Sequence, residues 1–525
     1  MEQIKLKDLF IGKIDAKNEL IENTEEAKNR FFNSYLLPDN IIIEDFYKGS
    51  RYYITGLKGT GKTALLRYIS LSVEKKYNAN TSFILFKSEF SNEDKKAFAR
   101  ALSNTVIALK NEDNENEDDF ANIWHWFIHR HIIKIIKNGV NNFFEENSNW
   151  EKYERCVLAP KLGDEKSGVM HLFPKLKKGN VELEGDFDLL KGKLGLDFEW
   201  ENVDSKQVKF SSIVKQADEL YKKLQPKNQN IFVFVDELEL TLGKQKQYQK
   251  DVRLIRDLII AINNFNSLSR SLKFPIYIIT AIRSEVLSSI QSSGKEINKL
   301  TSDFGVILNW HQALDSSKNH PLIKIINKKI QASEQLFYGN YTESIDELWS
   351  KYFPGQLYET TPQEAILHLT WYRPRDIVRL LGIAQQQYPY ETRFSSQIFE
   401  KIRKDYSTQS WIEHIEELRT KYSEEEIEGI QKLLKGLSCP FNLNQITVWA
   451  DQKRTHYAEV DNLLTNHKIG DILSLLYKVG IIGNTGVKVR YSFRGDDELL
   501  IEKNMKVHDP LWNFLSTEKR EYVTE

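Results

Sequence analysis

Apolar residues along this chain follow two different periods, and the switches between them outline the fold. Unbroken apolar runs at Tyr52–Thr55, Phe83–Phe86, Ile231–Val235, Ile276–Ala281 and Val306–Leu308 read as strands covered on both faces. Helical segments separate these runs. Strands alternating with helices predict an α/β fold, a three-layer αβα core around a parallel five-stranded sheet. The stretch between the second and third strands, about 93–229, is too long for a simple loop. Helices are expected over Lys95–Lys110 and Phe120–Lys137, with the acidic run Asn111–Asp119 as a solvated loop between them. Alternation in Val181–Glu184 and again in Lys193–Trp200 predicts a β-hairpin, and a helix over about Lys206–Leu224 leads back to the core. This stretch reads as a long α+β insertion in the sheet.

The flanks carry no strand pattern of this kind. Residues 1–50 read as a helical lead-in, with a charged helical run from Asp15 to about Leu36 that Pro38 ends. The sheet-bearing core is expected over 51–315. Residues 316–415 are helical by pattern, punctuated by Pro321, Pro354, Pro362 and Pro374, and form a candidate lid. Residues 416–525 combine a helix at Glu424–Leu437, the segments Leu443–Asp451 and Gly470–Lys478, and β segments at Val487–Phe493 and Leu499–Ile501. Helices followed by a β-hairpin predict a winged-helix domain.

Composition narrows the setting. A chain of 525 residues is too long for one ordinary domain. With 41% hydrophobic and 28% charged residues it reads as globular and soluble. A net charge of −1 gives no global pull toward nucleic acid or membrane. Cys156 and Cys439 are the only cysteines, so neither a disulfide framework nor a cysteine zinc site is expected, and a reducing cytoplasm fits. No apolar run approaches the roughly 20 residues that span a bilayer, so no membrane association is expected.

The densest chemistry lies between the first strand and the helix after it. Gly56, Leu57, Lys58, Gly59, Thr60, Gly61, Lys62 and Thr63 fit the phosphate-binding pattern G-x-x-x-x-G-K-[ST], and Ala64 continues into the helix. The glycines let backbone N–H groups wrap a polyphosphate, and the helix N-terminus adds its positive dipole end. Lys62 would reach the β- and γ-phosphates of ATP, and the Thr63 hydroxyl would bind Mg²⁺. The run Ile231–Val235 ends in Asp236 and Glu237, the pattern of a Walker B strand. Asp236 would hold the Mg²⁺, and Glu237 would polarise the attacking water as general base, with Glu239 a weaker alternative. Such adjacent acids favour ATPases that activate water over small-molecule kinases. The next strand ends Thr280-Ala-Ile-Arg283. Thr280 reads either as a catalytic sensor that orients water or as an ordinary β-branched strand residue. Arg283 reads either as a phosphate sensor or as a surface salt-bridge partner. In Arg373-Pro374-Arg375-Asp376, the proline suits the first turn of a helix. Arg373 and Arg375 could then reach a nucleotide, Arg375 with a catalytic role, or an Arg–Asp pair could simply stabilise the helix start.

Taken together these pieces resemble the AAA+ and STAND-like P-loop ATPases. The order matches: P-loop, Walker B Asp-Glu, sensor strand, fifth strand Val306–Trp310, helical lid, winged helix. Within that group the chain is similar to bacterial ATPases with a Lys-Gly-x-Gly-Lys-Thr loop, here Lys58–Thr63, and an Arg-Pro-Arg-Asp lid helix, here Arg373–Asp376. The lead-in Phe10–Leu20 and the ending His508–Trp512 are similar as well. The resemblance implies ATP and Mg²⁺ as cofactors and a place in bacterial defence against phage. The long insertion departs from the ordinary AAA+ pattern, so no standard ring geometry and no arginine finger is assigned.

Three functions follow as expectations. The first is an ATP-hydrolysing conformational switch in a multi-protein assembly, with other protein subunits as partners. The second is an ATP-driven DNA motor or loader that uses the winged helix. From Lys421 onward, however, 14 Lys/Arg face 16 Asp/Glu, and the Gly470–Lys478 segment is mainly apolar, whereas a DNA-reading face should be basic. Lys488, Arg490 and Arg494 keep the DNA reading open. The third is a nucleotide-binding scaffold with negligible turnover.

Overall fold

The computed structural model describes residues 3–86, 119–139, 143–162, 176–177, 180–184, 200–202, 207–227, 229–238, 245–291, 297–311, 316–419, 421–486, 489–496 and 498–519. The expected helix Lys95–Lys110, most of the acidic run Asn111–Asp119, most of the Lys193–Trp200 segment, Glu239 and Lys488 lie outside the described residues. The chain forms two compact units, each discontinuous in sequence. The sheet unit comprises Asp39–Lys58 and Leu65–Leu308, and the helical unit comprises Met1–Pro38, Gly59–Ala64 and Asn309–Glu525.

The sheet unit is built on five parallel strands, β1 (Tyr53–Gly56), β2 (Asn80–Leu85), β3 (Ile231–Leu238), β4 (Ile276–Arg283) and β5 (Gly305–Ile307). Their order is β2-β3-β4-β1-β5. The three central strands are almost wholly buried, as their unbroken apolar runs require, while the edge strands are less covered and Ile307 is 66% exposed. Helix Lys62–Tyr77 follows β1 and buries Leu65, Leu66, Ile69 and Val73. Arg51 holds the chain beside β1, where its Nη1 donates to the carbonyls of Ser302, Asp303 and Gly305 at 3.2, 2.7 and 3.0 Å. That caps the helix Ile297–Asp303 at its negative end.

The insertion contributes helices Asp119–Asn138, Ser148–Leu158 and Phe210–Tyr221, together with a small antiparallel sheet. The expected hairpin lies partly outside the described residues, and the strands that are described pair as follows. Val181 pairs with Leu176 and Val208, and the strand Trp200–Asn202 pairs with Gln207–Lys209. Period-two alternation fixes which face a residue takes but not which strand lies beside it. Residues Gln207–Lys209 are consequently strand, and the helix expected from Lys206 begins at Phe210. Behind these elements sits an aromatic core that contains His125 and His129. Both imidazole Nε2 atoms meet Asp218 Oδ1, at 2.8 and 2.9 Å. Burial pushes the His129 imidazole below its ordinary pKa, against the pull of Asp218. Burial also pushes the Asp218 carboxyl upward, but hydrogen bonds from His125 and His129 outweigh it and hold the group well below the usual carboxylate range.

The helical unit starts with a mostly extended segment rather than the long helix read from Asp15 to Leu36. Only Glu25–Ser34 is α-helical, capped by the Thr24 hydroxyl on Ala27 N, with a short 3₁₀ turn at Ala16–Leu20. The N-terminal strap lies along other parts of this unit. Leu6 N donates to Glu391 O at 2.7 Å, and Phe10 N donates to Ser333 Oγ at 2.7 Å. Those tertiary bonds satisfy backbone groups that a continuous helix would otherwise have paired. The helices Pro321–Tyr338, Ile345–Tyr352, Pro362–His368, Pro374–Gln387 and Ser396–Leu418 follow, three of them with proline at the first turn.

Beyond them, helices Glu424–Leu434, Leu443–His456, Ala458–Asn466 and Ile469–Lys478 close over a core that includes Ile430, Leu433, Ile446, Leu473 and Leu476. Capping boxes at Ser423/Glu426 and Asn442/Gln445 begin two of these helices. The β segments expected at Val487–Phe493 and Leu499–Ile501 are displaced. The antiparallel pair is Ile482–Asn484 with Met505–Val507, and Ser492–Arg494 forms a 3₁₀ turn. Asn484 decides this. Its side chain accepts from Leu500 N at 2.9 Å and donates to Leu500 O at 2.9 Å, holding residue 500 beside the strand Ile482–Asn484.

Candidate functional site

In the sheet unit, parallel strands bring their carboxyl ends to one edge, where α/β proteins bind ligands. β1 ends at Gly56, β3 carries Asp236 and Glu237 near its end, and β4 ends at Arg283. The register between β1 and β4 sets Gly56 level with Arg283, and Tyr53 level with Thr280. Thr280 is therefore three residues, about 10 Å, below the strand ends. Its side chain is fully buried, and Oγ1 has no hydrogen-bond partner among the described residues. The register between β3 and β4 shifts between Val235 and Leu238, so Asp236 and Glu237 sit in a local irregularity of the ladder.

Asp236 is buried, and its Oδ1 accepts the N–H of Glu237 at 2.7 Å. Glu237 is only half-buried and has φ 61°, a left-handed conformation that costs a non-glycine residue roughly 1–2 kcal/mol. A strained acid at the end of a central strand is the kind of backbone cost that functional sites retain. Lys58 is buried in this unit and Leu57 is exposed.

In the helical unit, residues Gly59–Ala64 lie beside Trp310 and the start of helix Pro374–Gln387. Gly59 and Gly61 have φ +81° and +92°, so the loop depends on glycine at both positions. Thr60 O accepts from Trp310 Nε1 at 2.7 Å, and Gly59 O accepts from Arg375 N at 3.4 Å. A Cβ on Gly59 would lie 3.3 Å from Arg373 Cδ and 3.4 Å from Arg375 Cβ. The start of helix Pro374–Gln387 thus lies directly against the glycine loop. Lys62, Thr63 and Ala64 form the first turn of helix Lys62–Tyr77, the positive end of the helix dipole.

Arg373 and Arg375 are held by acids that the sequence pattern did not single out. Arg373 Nη1 meets Glu417 Oε1 at 2.9 Å, and Arg375 Nη1 meets Glu413 Oε1 at 2.8 Å. Arg375 Nε also donates to Ile14 O at 3.2 Å. Asp376 instead accepts from Trp371 N at 3.1 Å and from Arg379 Nη1 at 3.2 Å. Burial pushes the Asp376 carboxyl above its ordinary range, against Arg379 and Arg373. The four-residue spacing of Glu413 and Glu417 on one helix face was the available signal. The role of Trp310 carried none, because an indole N–H donor is specified only by where it lands.

A parallel five-stranded sheet with helices between its strands defines a mixed α/β protein. Residues 320–414 match a family described as the FunZ-associated C-terminal helical domain. No curated protein matches the chain. Among solved structures, the crystal structure of Cdc6p from Pyrobaculum aerophilum is similar at 10% identity, covering 93% of this chain and 96% of that chain with a TM-score of 0.35. No helix among the described residues is long and apolar enough to cross a membrane.

Proposed function

We infer that the chain binds ATP with Mg²⁺, hydrolyses it, and uses the cycle as a conformational switch within a multi-protein assembly. The observation that supports this most is the sheet edge, where β1 leads in sequence into the glycine loop while β3 ends in a buried Asp236 and a strained Glu237. Oxygen donors from Asp236 and Thr63 suit Mg²⁺, which would neutralise phosphate charge during transfer. Glu237 would take a proton from the attacking water. Of the residues on the next strand, Arg283 is the better phosphate sensor, because it is level with Gly56 while Thr280 lies three residues deeper.

Switching is read from the lid. The loop that would hold the phosphates touches Gly59's neighbours Arg373 and Arg375, and those arginines are paired with Glu417 and Glu413. A bound phosphate would compete with these carboxylates for the guanidinium groups, so nucleotide state would be felt along helix Ser396–Leu418. The family description of residues 320–414 as FunZ-associated supports a search for a protein partner on these helices. A role in antiviral defence rests on the sequence resemblance. The test is ATP turnover of the wild type and Glu237→Gln, with and without duplex DNA, alongside native mass. Turnover lost in Glu237→Gln and indifferent to DNA supports the switch. Strong DNA stimulation replaces it with the motor reading on the winged-helix-like region, and no turnover in any condition leaves a nucleotide-binding scaffold.

A further inference from the structure

We propose that His125, His129 and Asp218 form a divalent transition-metal site of the Zn²⁺ type that ties the insertion together. His125 and His129 are four residues apart on helix Asp119–Asn138, so their side chains share one face. Asp218 reaches them from helix Phe210–Tyr221. The ligating atoms all lie within 4.8 Å of one another, with His125 Nε2 and His129 Nε2 at 2.8 and 2.9 Å from the same Asp218 oxygen. Two imidazoles and a carboxylate are a donor set that zinc accepts.

The surroundings fit a metal centre in three further ways. His129 Nδ1 meets Tyr153 Oη at 2.8 Å, which fixes that ring with Nε2 aimed inward, as an outer partner of a metal ligand does. The Phe265 ring lies 5.8 Å from His125 and 5.2 Å from His129 between centroids, walling the site on its inner side. The His129 side chain is fully buried, but that of Asp218 is 28% exposed, which leaves an approach for the ion and a position for a water as fourth ligand. Zinc bonds of about 2.0–2.1 Å in a tetrahedron separate ligand atoms by roughly 3.3 Å. The observed separations are shorter by about 0.5 Å. A small retreat of the partly exposed Asp218 side chain opens them, while the buried imidazoles stay in place. In sequence the two helices are separated by a long segment, so a bond between them has a large loop to close.

The full chain, treated with chelator and dialysed, is titrated with Zn²⁺ and separately with Co²⁺. The expected result is one tightly held Zn²⁺ per chain, a rise in melting temperature on zinc addition, and visible d–d bands of four- or five-coordinate Co²⁺. Asp218→Asn keeps the side-chain shape and should lose the zinc-dependent rise. His125→Gln serves as a second variant should that one misfold. Cys156 and Cys439 are both buried, so thiolate capture of the probe does not compete. Wild type that takes up no zinc, or takes up the same amount as a folded Asp218→Asn variant, overturns the site and leaves a shared hydrogen-bonded carboxylate.

Discussion

Replacing Glu237 by alanine and by glycine should reverse the ordinary ranking of those two residues. Inside a regular strand, glycine is worse than alanine by roughly 0.5–1 kcal/mol, because it loses more chain entropy on folding. Glu237 has φ 61°, where any Cβ costs about 1–2 kcal/mol. Both variants lose the same carboxylate, so their difference isolates the backbone. Strain relief minus the entropic penalty leaves glycine ahead by roughly 0.5–1 kcal/mol. For a unit of more than two hundred residues that is about 1–3 °C in melting temperature. Calorimetry of the three proteins reads the shift, and ATP turnover is measured on the same samples. Both variants should lose turnover by on the order of 10²–10⁴-fold, the usual loss when a positioned base is removed. Alanine as stable as glycine, or more so, would refute the view that β3 holds Glu237 in a strained conformation. Undiminished turnover would remove Glu237 from the chemistry.

Other outcomes follow from the same geometry. Gly59→Ala and Gly61→Ala both place a Cβ at positive φ, but only the Gly59 Cβ meets Arg373 and Arg375, so its melting temperature should fall further. Trp310→Phe removes the 2.7 Å bond to Thr60 O, worth about 1 kcal/mol, and amide exchange around residues 59–61 should quicken about fivefold. His508 is buried among Trp371, Tyr491 and Phe493, its Nε2 donating to Thr370 O at 3.1 Å, and burial lowers its pKa to about 3. The unfolded imidazole protonates near 6.5, so between those values the unfolded chain binds more protons and acid destabilises the helical unit. From neutral pH down to pH 5 the cost is about 2 kcal/mol, read as a lower urea midpoint. His508→Gln should remove that share of the pH slope, and an unchanged slope would show that the ring titrates normally.

The sequence by itself determined the strands of the sheet and the polar residues that stand at their ends. An unbroken apolar run can only be satisfied between two covered faces. That signal is local, so the place of Asp236 and Glu237 near a strand end was legible without a structure. Strand partners, by contrast, are chosen at long range. That is why Val181 lies between Leu176 and Val208, and why the C-terminal strands sit at Ile482–Asn484 and Met505–Val507. The same holds for side chains that meet only after folding. Arg375 with Glu413, Trp310 with Thr60, and His125 and His129 with Asp218 are separated by 38, 250, 93 and 89 residues. A contact across such distances is decided by how helices pack on a sheet or on each other, and no short window of sequence contains that geometry.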